Sequence, residues 1–286
     1  MKHSVKIYSR IGELMQGILP DRSPFLVSGL PSRTFFSEAI AEEEGGFSTD
    51  LPPKARQAMD LFYQTGQPKS VDPRPILSLR SNIPPGKGMS SSSADILSIL
   101  YVLDRYWQTG FSDQTLYSIA ARVEPTDPCL SDDIVVFKQQ TGITDRVLSL
   151  PPLAMIWFDA APDRQVNTLE VQRIYDKDAP GFFHSLLIKF LQSVAAADYA
   201  GLFDCITHSA LYNQSIIPLP RFGEYYQLAT RLQVGLMVAH SGTIIGLLTR
   251  PEEAAALIPF VEAMANHYQP TIVHIEKYLS PGIVPA

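Results

Sequence analysis

The sequence lacks the features that mark secreted, membrane-embedded and nucleic-acid-binding proteins. Its 286 residues include two cysteines, Cys129 and Cys205, with no CxxC or metal-type spacing, which indicates idle thiols in a reducing compartment. No run of basic residues occurs and the formal net charge is −6, which argues against nucleic acid as a partner. The N-terminus has no apolar signal-peptide core, and no stretch approaches the roughly 18 apolar residues of a membrane span. These absences predict a cytoplasmic protein with no membrane partner.

What is present is a globular composition, with 45% hydrophobic and 18% charged residues. Strand-like and helix-like segments mix without the regular βα alternation of a doubly wound sheet, which favours the α+β class. The predicted strands are 4–11, 25–40, 75–83, 132–142, 153–160, 234–240, 243–249 and 270–278. The predicted helices are 52–66, 92–107, 112–124, 182–194, 199–212, 223–232 and 252–267. A Pro-Pro segment near residue 150 is the expected crossing between two halves.

One stretch, "IPPGKGMSSSSADILSIL" (83–100), places two glycines and four serines before an apolar helical run. The first N–H groups of a helix lack partners and attract anions, and glycine lets the backbone approach a phosphate closely. The order of residues fits neither the Walker A loop nor the G-x-S-x-G elbow. Local chemistry alone therefore leaves two interpretations open, a phosphate loop and a well-capped helix after a turn.

Three stretches together resemble the GHMP kinases. "PPGKGMSSSSAD" resembles the second motif of that superfamily, "IGELMQG" (11–17) the first, and "VAHSGTIIGLL" (238–248) the third. Within the superfamily the chain is most similar to the L-threonine kinases of cobalamin synthesis. That similarity rests on "GELMQG", "EPTD", "VNTLEVQR", "HSALYNQ" and "AHSGTIIGLL", which occur in the same order.

The resemblance implies a two-domain fold and an ATP site. It implies a ribosomal-protein-S5-like N-terminal domain over residues 1–150, a ferredoxin-like C-terminal domain over residues 151–286, and ATP in the cleft between them. The residues that it assigns to ATP are those of the second motif: Pro85, Gly86, Lys87, Gly88, Met89, Ser90, Ser91, Ser92 and Ser93.

The same resemblance assigns the metal and the base. Ser92 and Glu124 would hold Mg²⁺, and a solvated helix end before a proline is the alternative for Glu124. Asp127 would accept the proton of the attacking hydroxyl. An Asx-type turn is the alternative for Asp127, and Asp132 and Asp133 are rival carboxylates.

The acceptor is expected near the first and third motifs. The residues assigned to it are Glu13, Gln16, His240, Ser241, Gly242 and Thr243. Turn chemistry is the alternative for Glu13 and Gln16, and a structural role is the alternative for His240.

The chain departs from the family pattern at three places. Ser90 replaces a glycine, the usual V-D-T reads Val166-Asn167-Thr168, and the leading cysteine of the first motif is replaced around residues 9–11. These changes bear on the acceptor more than on phosphoryl transfer.

The predicted activity is ATP-dependent phosphorylation of a small hydroxylated metabolite, with L-threonine as the leading substrate. Another hydroxylated acceptor, homoserine-like or sugar-like, is the first alternative. A catalytically silent nucleotide sensor of the same fold is the second. A homodimer is compatible with the sequence but has no motif of its own.

Overall fold

The computed structural model describes residues 2–43, 51–65, 74–167, 171, 173–265 and 273–278. Its first half contains, in chain order, β1 (Lys2–Ile18), β2 (Pro24–Glu42), α1 (Pro53–Thr65), β3 (Ile76–Ser81), α2 (Ser91–Trp107), α3 (Asp113–Val123), β4 (Ile134–Lys138) and β5 (Ile143–Leu148). Its second half contains β6 (Leu153–Asp159), α4 (Ala179–Ala195), α5 (Tyr199–Gln214), α6 (Phe222–Leu232), β7 (Gly235–Val238), β8 (Ile244–Thr249), α7 (Ala254–Ala265) and β9 (His274–Tyr278).

The first half is built on a five-stranded antiparallel sheet. Its order is β1-β2-β4-β5, and β3 pairs with another stretch of the long strand β2. Helix α2 packs on β1 and β2 and carries the predicted apolar stripe, including Ile96, Leu97 and Leu100, which are fully buried. Ser112 caps α3, since its hydroxyl accepts a hydrogen bond from the Thr115 N–H.

The second half is built on a four-stranded antiparallel sheet with the order β7-β8-β6-β9. Helix α5 packs on β7 and also on β1, so the first strand of the chain contacts helices of both halves. Because β1 also contacts β7 and β8, the first and third sequence motifs lie side by side. The division at residues 150 and 151 stays a prediction.

Two elements differ from the sequence predictions. The first predicted strand ends at Ile11, whereas β1 continues to Ile18, so the alternative of turn chemistry for Glu13 and Gln16 is wrong. Residues from Ser9 onward in β1 are all buried, so this segment has none of the alternation that identifies a half-exposed strand. Strand β5 was not predicted, because it is an edge strand in which Ile143 and Val147 face outward beside two charged residues.

Some predicted features lie outside the described residues, among them Thr168 and Gly66. Both cysteines are buried and free of disulfides. Within the described part of the chain, no helix combines the length and apolar character that a membrane crossing requires.

Candidate active site

A cavity of about 180 Å³ opens where the Gly/Ser loop meets the end of α3, the middle of β1 and the loop after β7. Its lining includes Glu13, Lys54, Glu124, Asp127, Gln139 and Ser241, together with Val166, Asn167 and Pro125. Of the nine residues predicted to bind ATP, all except Lys87 also line this cavity: Pro85, Gly86, Gly88, Met89, Ser90, Ser91, Ser92 and Ser93. Four segments far apart in sequence thus converge on one space.

Backbone hydrogen bonds hold the Gly/Ser loop against the first and third motifs. The Gly12 N–H donates to the Gly88 carbonyl at 3.1 Å, and the Thr243 N–H donates to the Lys87 carbonyl at 3.0 Å. Gly88 has φ of +81°, and a Cβ there would lie 2.1 Å from the Ala239 Cβ. A Cβ on Gly242 would lie 2.1 Å from the Lys87 carbonyl carbon. Glycine is therefore required at both contacts for the motifs to approach this closely.

The serine run opens helix α2 at the cavity. Ser90, the residue that replaces the family's glycine, has φ of +56°, a left-handed conformation that non-glycine residues adopt at a cost. Its hydroxyl hydrogen-bonds the Asp127 carboxylate, which provides a compensating contact. Ser93 is buried and its hydroxyl accepts a hydrogen bond from the Asp127 N–H at 2.9 Å. Ser93 therefore orients the Asp127 segment.

Glu124 is a buried carboxylate at the end of α3. Its side chain is 2% exposed, and Oε2 pairs with the Lys54 ammonium. The other oxygen, Oε1, is buried and has no hydrogen-bond partner among the described residues. The interpretation of Glu124 as a solvated helix end is therefore wrong, because a solvated carboxylate would not be buried.

Asp127 lines the cavity and is held from two sides. Gln139 Nε2 donates to Oδ1 at 2.6 Å, in addition to the Ser90 contact. Burial raises the pKa of Asp127 above its ordinary value, and the charge of Glu124 adds to that rise, while the two hydrogen bonds oppose it. A raised pKa makes this carboxylate a stronger base than a solvated aspartate. The rival Asp132 lies elsewhere, paired with Arg33 in an exposed ion pair.

Glu13 is the second buried carboxylate of the cavity. It lies within β1 rather than in a turn, and its carboxylate accepts a hydrogen bond from the His240 N–H. Burial and then the nearby Asp127 charge raise the pKa of Glu13 well above its ordinary value. Burial and then the Arg173 charge hold the pKa of His240 well below its ordinary value. The imidazole is thus neutral near neutral pH.

Several predicted residues lie beside the cavity without lining it. Gln16 is buried against α5, where its N–H donates to the Ser209 hydroxyl at 3.0 Å. Lys87 points away: its ammonium lies 2.8 Å from the Asp159 carboxylate and also donates to three carbonyls, those of Ala161, Pro162 and Arg164. The expectation that Lys87 reaches the nucleotide is not supported, because its charge is already satisfied there.

Sequence reasoning missed four residues of this region. Lys54 and Gln139 line the cavity, but neither belongs to a motif. Arg173 lies at the end of the "VNTLEVQR" stretch and donates to the Asn213 side chain and to the His240 carbonyl. Its partners Asn213 and His240 lie in two other quoted motifs. The order of the motifs could have suggested that Arg173 belongs to the site, but it could not show which residues Arg173 contacts.

Arg10 is the fourth residue, and it lies where the family's leading cysteine is replaced. Its guanidinium is buried and donates to the carbonyls of Pro128 at 3.1 Å, Gly29 at 3.1 Å and Asp133 at 2.7 Å, and to that of Ser131. These bonds fix the loop that directly follows Asp127. Arg10 therefore positions the candidate base through the backbone.

The donor set of the cavity fits a hard divalent cation. Glu124 offers a buried oxygen that has no partner among the described residues, and Ser92 lines the same cavity. Within the described ranges no group of three or more His, Cys, Asp and Glu could hold a metal by itself. A Mg²⁺ ion here would take its remaining ligands from phosphate oxygens and water, as Mg²⁺ commonly does.

Comparison with known proteins shows what the chain is similar to. Residues 54–138 match the GHMP kinases N terminal domain. The fold of nearly the whole chain matches Streptococcus pneumoniae phosphomevalonate kinase, with a TM-score of 0.73, 12% identity, and 97% of this chain and 100% of that chain covered. It also matches homoserine kinase from Cytophaga hutchinsonii, with a TM-score of 0.63, 14% identity, and coverage of 98% and 96%. The predicted GHMP kinase fold is confirmed, and residues 54–138 carry the sequence pattern of the GHMP kinase N-terminal domain.

Among its relatives in sequence, the chain is similar to L-threonine kinase from Citrobacter freundii. The two are 26% identical over 243 residues, which covers 83% of each chain.

Proposed function

We propose that this protein transfers the γ-phosphoryl group of ATP to the hydroxyl of L-threonine and forms O-phospho-L-threonine. The observation that carries the proposal is the convergence of the Gly/Ser loop, Glu124, Asp127 and Glu13 on one cavity. The first two suit a metal-bound nucleotide, and the last two suit a hydroxylated acceptor with a positive charge. The similarity to L-threonine kinase supports the choice of acceptor.

In the proposed reaction the loop between Pro85 and Ser90 cradles the phosphates with its N–H groups at the start of α2. Ser92 and Glu124 would hold Mg²⁺, which neutralises charge on the phosphates when bound. The oxygen of the acceptor hydroxyl bonds to the γ-phosphorus while Asp127 accepts the proton of that hydroxyl. The bond from that phosphorus to the bridging oxygen breaks and ADP leaves.

The electrostatics of the cavity favour a zwitterionic acceptor. Glu13 and Asp127 raise one another's cost of ionisation, so an ammonium group placed near them would relieve the repulsion. Arg173, beside Glu13 and the His240 carbonyl, is a cation suited to a carboxylate. An amino acid has both groups, whereas a sugar has neither.

The test compares acceptors that differ by one charged group. L-Threonine, 3-hydroxybutyrate and 1-amino-2-propanol are each incubated with Mg-ATP, ADP release is measured, and the product is identified by phosphorus NMR. L-Serine and L-homoserine complete the series. We expect turnover with L-threonine and a loss of about tenfold or more in kcat/KM when either charged group is absent.

Equal turnover of a sugar or of 3-hydroxybutyrate would refute the amino-acid assignment but keep the kinase. ATP binding without turnover on any acceptor would favour the silent sensor. The Asp127→Asn variant separates the role of the base: kcat near that of the wild type would exclude Asp127 from proton transfer. Cytoplasmic location, a place in cobalamin synthesis and a homodimeric state remain part of the proposal.

A further inference from the structure

The position of Lys54 does not serve the stability of its own helix, α1. It is the second residue of α1, where a cation opposes the helix dipole. Its ammonium pairs with the Glu124 carboxylate, and its side chain is 39% exposed while that of Glu124 is 2% exposed. A buried carboxylate needs a counter-charge, so one role of Lys54 is to neutralise Glu124.

The charge balance of the cavity indicates a second role. Among the described residues that line it, Lys54 has the only positive side chain, beside the carboxyl groups of Glu13, Glu124 and Asp127. A nucleotide brings several further negative charges into this space. Since Lys87 is engaged with Asp159 outside the cavity, the full positive charge that balances bound phosphates would come from a bound cation, the Lys54 ammonium, or both.

The ion pair between Lys54 and Glu124 is incomplete in a way that permits exchange. Lys54 engages one oxygen of Glu124, while Oε1 stays buried without a partner among the described residues. The ammonium is partly exposed at the end of a flexible stem, so it can turn while Glu124 stays fixed in its buried position.

We propose that Lys54 is an exchangeable counterion of the nucleotide site. In the free protein its ammonium neutralises Glu124. When Mg-nucleotide binds, the divalent cation takes over that carboxylate and the Lys54 ammonium binds a phosphate oxygen instead. This inference rests on the proposed nucleotide-binding function and adds a phosphate-binding residue that belongs to none of the three motifs.

The test uses Lys54→Met and measures two affinities without turnover. Binding of Mn²⁺ alone is followed by its electron spin resonance signal, and binding of Mg-ADP by calorimetry. The variant removes the ion that competes for Glu124, so Mn²⁺ should bind about tenfold more tightly. It also removes the phosphate contact, so Mg-ADP should bind about tenfold more weakly. A residue that only stabilised the fold would not move the two affinities in opposite directions.

Two further variants serve as controls. Lys189→Met removes a lysine from an exposed ion pair with Asp204 and should change neither affinity. Lys54→Arg keeps the charge and should keep both affinities within a few-fold of the wild type. If Lys54→Met folds poorly, Lys54→Gln keeps a side chain that can donate a hydrogen bond to the buried Glu124 but removes the charge, and it should show the same opposite shifts of the two affinities.

Unchanged affinities in a folded Lys54→Met protein, or a shift of both in the same direction, would overturn the inference while the kinase proposal stands. Failure of the wild type to bind Mg-ADP would overturn both. These outcomes are distinguishable because the wild-type measurement tests the site and the variant tests the residue.

Discussion

Replacement of Gly88 by alanine tests whether the close approach of the three motifs builds the nucleotide site. At φ of +81° a residue with a Cβ carries a backbone cost of about 1 kcal/mol. The new Cβ would also lie 2.1 Å from the Ala239 Cβ, a clash that must displace the loop and costs about 1–3 kcal/mol. Weakening the bond from the Gly12 N–H to the Gly88 carbonyl adds about 1 kcal/mol. The sum is a loss of about 3–5 kcal/mol in the free energy of unfolding.

Gly110→Ala is the matched control. Gly110 has φ of +69°, but a Cβ there meets nothing within 4 Å, so only the backbone cost of about 1 kcal/mol applies. In thermal melts we expect Tm to fall by about 6–10 °C for Gly88→Ala and by about 2 °C for Gly110→Ala. Mg-ADP affinity should fall only in the Gly88 variant. Equal Tm values and equal nucleotide affinities for the two variants would refute the steric argument.

Three further changes test the surroundings of the candidate base. Ser90→Gly should raise the free energy of unfolding by up to about 1 kcal/mol, because glycine adopts the left-handed backbone without strain. It should also move the acid limb of the kcat/KM profile to higher pH, because a hydrogen bond that lowers the pKa of Asp127 is lost. An acid limb at the same pH as in the wild type would show that this bond does not tune the base. In the wild type, the buried His240 stays neutral in the folded state while the unfolded chain takes up a proton, so stability falls on acidification below about pH 6.5. His240→Gln should make this fall shallower. Denaturant titrations at a series of pH values measure the difference. Arg10→Met should lower the free energy of unfolding in urea by several kcal/mol, because at least four carbonyls lose a charged donor. A loss under about 1 kcal/mol would contradict the role of Arg10 in fixing the loop after Asp127.

The sequence by itself determined the class of the protein. Local patterns were enough for most elements, because helices such as α2 show their apolar stripe and strands such as β6 are continuous apolar runs. The ordered motifs at residues 11–17, 83–94 and 238–248 were enough to predict the GHMP kinase fold, since the glycines there are needed where the backbone segments approach closely. Strand β5 was missed because this edge strand mixes exposed apolar and charged residues. The extension of β1 was missed because its buried segment contains glycines, Glu13 and Gln16, so it is neither an alternating pattern nor a continuous apolar run.

Only the tertiary structure decided which side chains share the site. Lys54, Gln139 and Arg10 belong to no motif, and their relation to Glu124 and Asp127 exists only once β1, α1 and α3 have packed together. Lys87 is the opposite case, a motif residue whose side chain lies outside the site. Its position in the Gly/Ser loop predicted contact with ATP, but its ammonium pairs with Asp159 from the other half of the chain. Charge pairing and burial depend on neighbours distant in sequence, so motif order could identify the loop but not the electrostatics around it.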